Sequence, residues 1–454
     1  MITKPPRALQ ANPLQKIVTE HTQHVDKYLE WYSPLDAHGR YLHFDQLRFR
    51  TDHQLDNSLV WSLVKLARRR QSQPVIGLGE PEQLASFVLT PLMQKAISEI
   101  DRNTTSAALE WMSSKINEEK HFEYLLRDLI EDEAISSSQL EGAATTTTAA
   151  KQLLKRQRKP RTLDERMIVG NFKMMKYAWE HRHRDLSLEL ILEIHAEGTE
   201  GIDDDTYAPG AFRQTDTVEV VDADGNTVHF PPPAANLRQR IQRIIKWVNT
   251  CHHNADSRDY LHPVVKAIVL HFIIGYEHPF RDGNGRVARA LFYWYMFKND
   301  YAAFRYIAIS VLLKNAPAKY GKSYLYTESD ELDLTYFIDY QCSVLLRAIS
   351  AFKNAFKVAA EAEEKFSAWL WQSGLMRKLS DKQRIIFQVA RSGIATALTA
   401  NSVKNNLDCS YNTAATMLNG LVDLGIFKKH KDGREWVYQL LSPEKIKASY
   451  PVGK

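Results

Sequence analysis

Twelve residues, HPFRDGNGRVAR from His278 to Arg289, bring together a histidine, an aspartate, two glycines, an asparagine and three arginines. Arginines and a carboxylate this close mark either a solvated helix end or a site that handles a phosphate and a metal. PFRDGNG is rich in turn formers and lies between two apolar stretches, so the motif spans a loop and the N-terminus of the next helix. Backbone N–H groups at such a terminus are unpaired and, with the helix dipole, favour an anion. Gly283 and Gly285 permit positive φ and close approach of an oxyanion. Asn284 can support the loop or add a donor. Arg286 and Arg289 are three residues apart and share a helix face. Asp282 is an oxygen ligand suited to Mg²⁺ beside phosphates, and Phe280 reads as an apolar peg. A histidine at the mouth of such a loop can take a proton from an attacking hydroxyl. The alternative for His278 is a helix C-terminal histidine that only interacts with the dipole, and the glycine–asparagine–glycine loop beside it favours catalysis.

The stretch matches H-x-F-x-[D/E]-G-N-G-R-x-x-R position for position, and the chain thereby resembles the Fic family over roughly residues 90–345. The resemblance implies a mainly α fold with a Fic-type helical core, whose members transfer AMP from ATP to a hydroxyl side chain of a target protein and release pyrophosphate. It implies that His278 is the general base and Asp282 the magnesium ligand. Gly283, Asn284 and Gly285 would cradle the α- and β-phosphates, Arg286 and Arg289 would hold the triphosphate, and Val287 and Ala288 lie within the same nucleotide segment. ATP as substrate and Mg²⁺ are the implied ligands. A β-hairpin flap at about 216–231 would dock the target backbone by strand addition, with Val228 and His229 bordering the nucleotide. Tyr320 and Tyr324, in NAPAKYGKSYLY, are candidates for the adenine surround; the alternative is tyrosines packed on a helix face.

SSSQLEGA (136–143) places Ser137 and Glu141 four residues apart, on one helix face, with Gly142 ending the helix. S-x-x-x-E-G resembles the family's inhibitory-helix motif. That implies that Glu141 pairs with Arg289 and fills the space of the γ-phosphate, in the same chain and N-terminal to the core. A carboxylate there could also orient a water and remove AMP from a modified target.

The elements that must position these residues are helical. Three- and four-residue apolar spacing predicts helices in DNSLVWSLVKLARRRQ, LTPLMQKAISEIDRN, HFEYLLRDLIEDEAISSSQLEG (with the inhibitory helix at about 130–142), LDERMIVGNFKMMKYAWEH, LRQRIQRIIKWVNTC, HPVVKAIVLHFIIGYEHPF and RVARALFYWYMFK. GRYLHFDQLRFR (39–50) alternates and reads as extended. TVEVV and TVHF around DADGN read as the hairpin, and such an element needs a body to pack on. The predicted organisation is a mixed N-terminal extension (1–90), a core (91–370) and a C-terminal module (373–454). The last reads as three short helices followed by a basic hairpin, the winged helix-turn-helix pattern. Ser410 is its expected N-cap and Leu418, Leu421 and Leu424 its core face. Tyr411, Asn412, Thr413 and Thr416 would face outward, and Lys428, Lys429, His430, Lys431 and Arg434 would form a basic wing.

The chain's 454 residues, 44% hydrophobic and 25% charged, are in the range of a soluble globular protein. No apolar run reaches membrane-spanning length, and no membrane partner is expected. Three scattered cysteines fit a reducing cytoplasm. CHH (251–253) and HRH (181–183) lack metal-ligand spacing and read as surface histidines. Net charge is +5, yet residues 373–454 hold 13 Lys and Arg against 6 Asp and Glu, a net of +7, which leaves −2 on the rest. That module fits DNA or an acidic partner, or a solvated domain with spare lysines. Besides the target on the flap, the expected partners include the chain itself, as a substrate or in a homodimer. The alternative function is an ATP-sensing, DNA-binding regulator whose core only binds ligand, although a sensor has no need of His278.

Overall fold

A computed structural model describes residues 2–6, 12–114, 131–156, 158–202, 208–221, 225–252, 260–391, 397–432 and 435–450. It is mainly helical and divides into two compact units, Met1–Ser106 with Leu129–Ile349, and Ala107–Asp128 with Ser350–Lys454.

The first unit begins with small helices around α1 (Asn57–Arg69), where Asp56 caps the N-terminus by accepting from the Ser58 and Leu59 amides. The alternating stretch 39–50 is not extended. Phe44–Leu47 is a short helix, because His43 and Gln46 form a reciprocal cap across its first turn. Strands β1 (Gln73–Leu78) and β2 (Gln83–Phe87) pair antiparallel, a hairpin the periodicity did not disclose. The N-terminal segment belongs to the same unit as the helical core. Lys65 Nζ lies 2.8 Å from Asp330 Oδ1, both buried, and Arg68 donates to the Tyr336 hydroxyl and the Leu42 carbonyl.

Helices follow in series: α2 (Pro91–Asn103), α3 (residues 131–140), α4 (Leu163–Glu180) and α5 (Leu188–Thr199). The flap strands β3 (Val220–Val221) and β4 (Thr227–His229) pair Val220 with His229 and Val221 with Thr227. They are shorter than TVEVV and TVHF, and most of the DADGN turn lies outside the described residues. After them come α6 (Leu237–Asn249), α7 (Pro263–Glu277), α8 (Asn284–Lys298) and α9 (Pro317–Ser329). Helices α7 and α8 pack on each other and are buried on nearly every side, which is why AIVLHFIIGY and ALFYWYMF are apolar all round rather than amphipathic. A short loop joins these two rigid rods, so its ends are fixed to the core.

Helix α10 (Thr335–Gln372) runs without a break through the point where contacts change unit, and Gly374, at φ 67°, follows its end. The pattern break at 371–380 is therefore the end of that helix, whereas contacts shift unit at Ile349. In the second unit, α11 (Asp381–Arg391), β5 (Leu398–Thr399), α12 (Ala400–Leu407), α13 (Tyr411–Asp423), β6 (Phe427–Asp432), β7 (Glu435–Leu440) and α14 (Pro443–Ser449) surround a core including Phe387, Leu418, Leu421 and Ile426. The sheet order is β5-β7-β6. Ser410 caps α13 by accepting from the Thr413 amide, and Leu424 packs partly buried against that core. Arg434 lies outside the described residues, as does His253. No helix among the described residues is long and apolar enough to cross a membrane.

Candidate active site

The loop between α7 and α8 is held by its own asparagine. Asn284 Nδ2 donates to the Phe280 carbonyl and Oδ1 accepts from the Phe280 amide, both at 2.9 Å. Phe280 is fully buried, so the peg expected from sequence is locked from both its backbone groups. Gly283 sits at φ 81° as the N-cap of α8, a conformation that a side chain would strain.

His278 ends α7 in the left-handed region, at φ 48°. Its Nδ1 lies 3.1 Å from the Gly275 carbonyl. A carbonyl can only accept, so the proton of the neutral ring is on Nδ1 and the lone pair is on Nε2. Burial holds this histidine down to about 4, Arg213 and His229 add to the effect, and Glu141 and the Gly275 bond oppose it. The ring is thus a neutral base at neutral pH.

Ser137 and Glu141 converge on Arg289. The guanidinium is 1% exposed; its Nε donates to Ser137 Oγ at 2.9 Å, and one Nη donates to the Ser137 carbonyl at 3.1 Å and to Glu141 Oε1 at 2.7 Å. Burial alone would lower Arg289, but Glu141, Tyr320 and Glu133 together outweigh it and the net direction is upward. The other Nη is buried with no partner among the described residues. A Cβ on Gly285 would collide with the Glu141 carboxylate. The glycine loop expected to cradle phosphates is therefore where the carboxylate rests. Gly142, at φ 99°, turns the chain just after Glu141.

Helix α3 is fastened well beyond this pair. Ser138 Oγ donates to the Met167 carbonyl, and Asn171 donates to that of Ala134. Glu133, four residues before Ser137 on the same face, is buried and accepts from both the Ser310 amide (2.9 Å) and its hydroxyl (2.5 Å). Burial raises the Glu133 carboxyl, and the Ser310 bonds and Arg289 pull against it.

The remaining expected residues divide. Arg286 is fully buried and donates to the Gly198 carbonyl at 3.1 Å. Val287 and Ala288 are fully buried on α8, so their side chains serve the core. Asp282 is half-buried, its Oδ1 taking the Gly283 amide. Val228 is half-buried on β4. His229 makes two bonds: Nδ1 meets Glu328 Oε2 at 2.7 Å and Nε2 meets the Tyr276 carbonyl at 2.8 Å. Two acceptors require both nitrogens protonated, in line with its upward shift, in which Glu328 overcomes burial. His229 pins the flap to α7 and α9. Tyr320 donates or accepts at His271 Nε2, 2.8 Å away, and is shifted upward by burial, with Arg289 opposing. Tyr324 packs against Phe272, Phe337 and Gly275, with no room for a Cβ on that glycine. Both tyrosines join an aromatic cluster behind His278.

Two residues escaped the sequence reading. Arg213 is buried; it donates from Nε to the His278 carbonyl at 2.8 Å, and other nitrogens reach the carbonyls of Thr215 and Pro232 and Asp216 Oδ1, while its amide donates to the Pro279 carbonyl. It clamps both ends of the flap to the backbone of the proposed base. His195 Nε2 donates to the Asp282 carbonyl at 3.0 Å, Nδ1 accepts from the Gly210 amide at 3.1 Å, and the ring stacks on Phe280 at 3.8 Å. Its only signal in sequence was a histidine inside the apolar stripe of LELILEIH.

With this geometry in view, residues 185–296 match the Fic/DOC family. The curated protein adenylyltransferase Fic of Drosophila sechellia is 33% identical over 126 residues, 27% of this chain and 23% of that one. Its counterpart in Drosophila ananassae is 27% identical over 230 residues, 50% of this chain and 40% of that one. The chain thus spans less than half the length of these relatives. Among solved structures, a Fic family protein from Desulfovibrio desulfuricans aligns at TM-score 0.47 and 16% identity, covering 78% of this chain and 97% of that one. Fic-1 (residues 134–508) from C. elegans aligns at 0.44 and 18%, covering 59% and 74%. The matched Fic domain contains His195, Arg213, the flap and the whole of the α7–α8 loop, whereas α3 with Glu141 precedes it.

Proposed function

We propose that this chain is an autoinhibited protein adenylyltransferase, which transfers AMP from ATP to a hydroxyl side chain of a target protein. The observation that carries the reading is the environment of His278: a neutral ring with Nδ1–H committed to Gly275, so that Nε2 accepts, at the end of the anion loop. In the reaction the hydroxyl oxygen attacks the α-phosphorus, the bond from that phosphorus to the bridging oxygen breaks, pyrophosphate leaves, and His278 Nε2 takes the hydroxyl proton. Loop amides at the α8 terminus face the phosphates, and Arg289 offers its unpartnered Nη to them. The triphosphate's negative charge acts on His278 as Glu141 does, raising its basicity as substrate binds.

Asp282 is the protein oxygen that would hold Mg²⁺. Among the described residues no cluster of three or more His, Cys, Asp or Glu could hold a metal unaided. One carboxylate is nevertheless sufficient when substrate phosphates and water complete an octahedron. Bound there, the ion would neutralise phosphate charge.

Glu141 keeps the site in check by holding the guanidinium that the γ-phosphate needs. Either partner must be present, because a buried guanidinium left unpaired costs several kcal/mol. Whether the same carboxylate also orients a water to remove AMP is separable: the reading requires that Glu141→Gly abolish removal of AMP from a modified target. The main test is incubation with α-labelled ATP, Mg²⁺ and cell lysate. Label on protein that rises with Glu141→Gly and vanishes with His278→Ala supports adenylyl transfer. The absence of label from every variant would overturn it.

A further inference from the structure

The second unit carries a surface that the Fic domain does not explain. Strands β6 and β7 form a ribbon in which Phe427 pairs with Leu440, Lys429 with Tyr438, Lys431 with Trp436 and Asp432 with Glu435. Side chains alternate along a strand, and directly paired residues share a face. One face therefore holds Phe427, Lys429, Lys431, Trp436 and Tyr438, and the other holds Lys428, His430, Asp432 and Glu435. Both carboxylates fall on the second face. On the first, Phe427 and Tyr438 are buried at the base of the ribbon, but beyond them Lys429, Lys431 and Trp436 are exposed, the indole 46%. A ribbon that buries neither face over that length contributes little to the core.

Helix α13 continues this first face. Asn412, Thr416 and Asn419 are spaced at four and three residues, one stripe. Asn412 and Thr416 are exposed. Asn419 Oδ1 accepts from Lys429 Nζ at 2.9 Å and from the Tyr438 hydroxyl at 3.2 Å, and Lys429 Nζ lies 5.4 Å from the Trp436 ring. A row of amides and hydroxyls on the helix thus runs without interruption into lysines and an indole on the ribbon, with no carboxylate among these residues. Tyr411, 49% exposed, stands at the helix N-terminus.

The geometry points to duplex DNA as the occupant of this face, with α13 in the major groove and the Lys429–Lys431 face of the ribbon along the adjoining phosphates. The dimensions agree, since a helix fits the major groove and a two-stranded ribbon follows a backbone. The chemistry agrees as well: lysines on one face neutralise phosphates, and an amide such as that of Asn412 matches the N6 and N7 edge of adenine. The stripe has no arginine, the usual partner of guanine. This surface makes no use of His278 or Arg289 and stands independently of adenylyl transfer.

The test is titration of the full chain against a short fluorescent duplex at several salt concentrations, with the same sequence single-stranded in parallel. Binding weakens with salt, with a slope of about 0.9 per phosphate contacted. Lys429→Gln and Lys431→Gln each lower that slope by about 0.9, whereas Lys428→Gln, on the opposite face, leaves it unchanged. Thermal melting of each variant verifies its fold, and label transfer from ATP stays at the parent level. The proposal is overturned by a wild-type chain that shows no salt-dependent duplex binding, by preference for the single strand, or by equal loss in Lys428→Gln.

Discussion

At the scale of single residues, Arg289 decides the state of the site. It is buried, it holds Glu141, and it keeps one Nη without a partner among the described residues. On the proposed function, replacing Glu141 by glycine frees the guanidinium for ATP. AMP transfer should rise about 5- to 150-fold, the range of a coupling of 1–3 kcal/mol, measured as label incorporated from α-labelled ATP. His278→Ala in that background should cost about 10²–10⁴-fold, the usual worth of a positioned base. The pH profile follows from the protonation state. Only unprotonated His278 works, and burial holds it to about 4. The kcat/KM of the free enzyme should therefore rise through an acid limb near pH 4, not near an ordinary histidine's 6.5, and stay level through neutrality. A limb near 6.5 would mean that the ring is not the buried neutral base described. Asn284→Ala removes both bonds to Phe280 and leaves buried backbone groups unpaired. About 1–3 kcal/mol of stability should be lost on urea unfolding, together with ATP affinity.

Elements carry a different kind of control. The flap is attached to the catalytic backbone by Arg213 at its two ends and by His229 on β4, through Glu328 and Tyr276. Arg213→Lys keeps the charge but cannot reach so many carbonyls at once. It should raise KM for the target and lower kcat while leaving ATP affinity near the parent value, a split that calorimetric ATP binding and transfer kinetics together resolve. Helix α3 and the turn after it are fastened at several points, among them Glu141 on Arg289 and Glu133 on Ser310. Glu133→Gln weakens the second and leaves the Glu141–Arg289 hydrogen bond itself in place. Transfer should increase, by less than with Glu141→Gly, because a loosened helix presents Glu141 for a smaller fraction of the time. Unchanged label incorporation would show that Glu133 serves only the fold.

Over the whole molecule, acid should unfold the protein early. His43, His195 and His278 are each held down to about 4 by burial, and His271 well below its ordinary value. The unfolded chain binds these protons near pH 6.5 and the folded chain does not, so the unfolded state holds more protons between the two values. Their stability contribution is full above about 6.5 and is lost as pH falls toward about 4. His229, shifted upward, works in the opposite sense: its contribution is present at low pH and lost as pH rises. Four histidines work against His229, while the raised carboxyls of Glu133, Asp333 and Asp339 side with it, so the melting temperature should drop between about pH 6.5 and pH 4, by less than the four rings alone would give. A melting temperature that rises across that window would contradict the buried neutral rings.

Local sequence was sufficient for the loop after α7 and for the place of His278 at its mouth, because these depend on residues a few positions apart whose backbone is dictated by glycine, asparagine and helix periodicity, whereas the pairing of Glu141 with Arg289, 148 residues away, was expected only from the resemblance. The buried helices were legible for the same reason, and so were the three helices and ribbon of the second unit, from apolar spacing and turn residues. Tertiary structure decided everything that depends on distant partners. Alternation in 39–50 lost to a cap between His43 and Gln46. The N-terminal segment joined the helical core through Lys65 and Asp330, 265 residues apart. Arg213 and His195 looked like ordinary polar residues until folding set their nitrogens against the carbonyls of the loop. His229 met Glu328, 99 residues later. Hydrogen bonds act over about 3 Å, and which groups come within that distance across the chain is a property of the packed molecule, not of spacing along it.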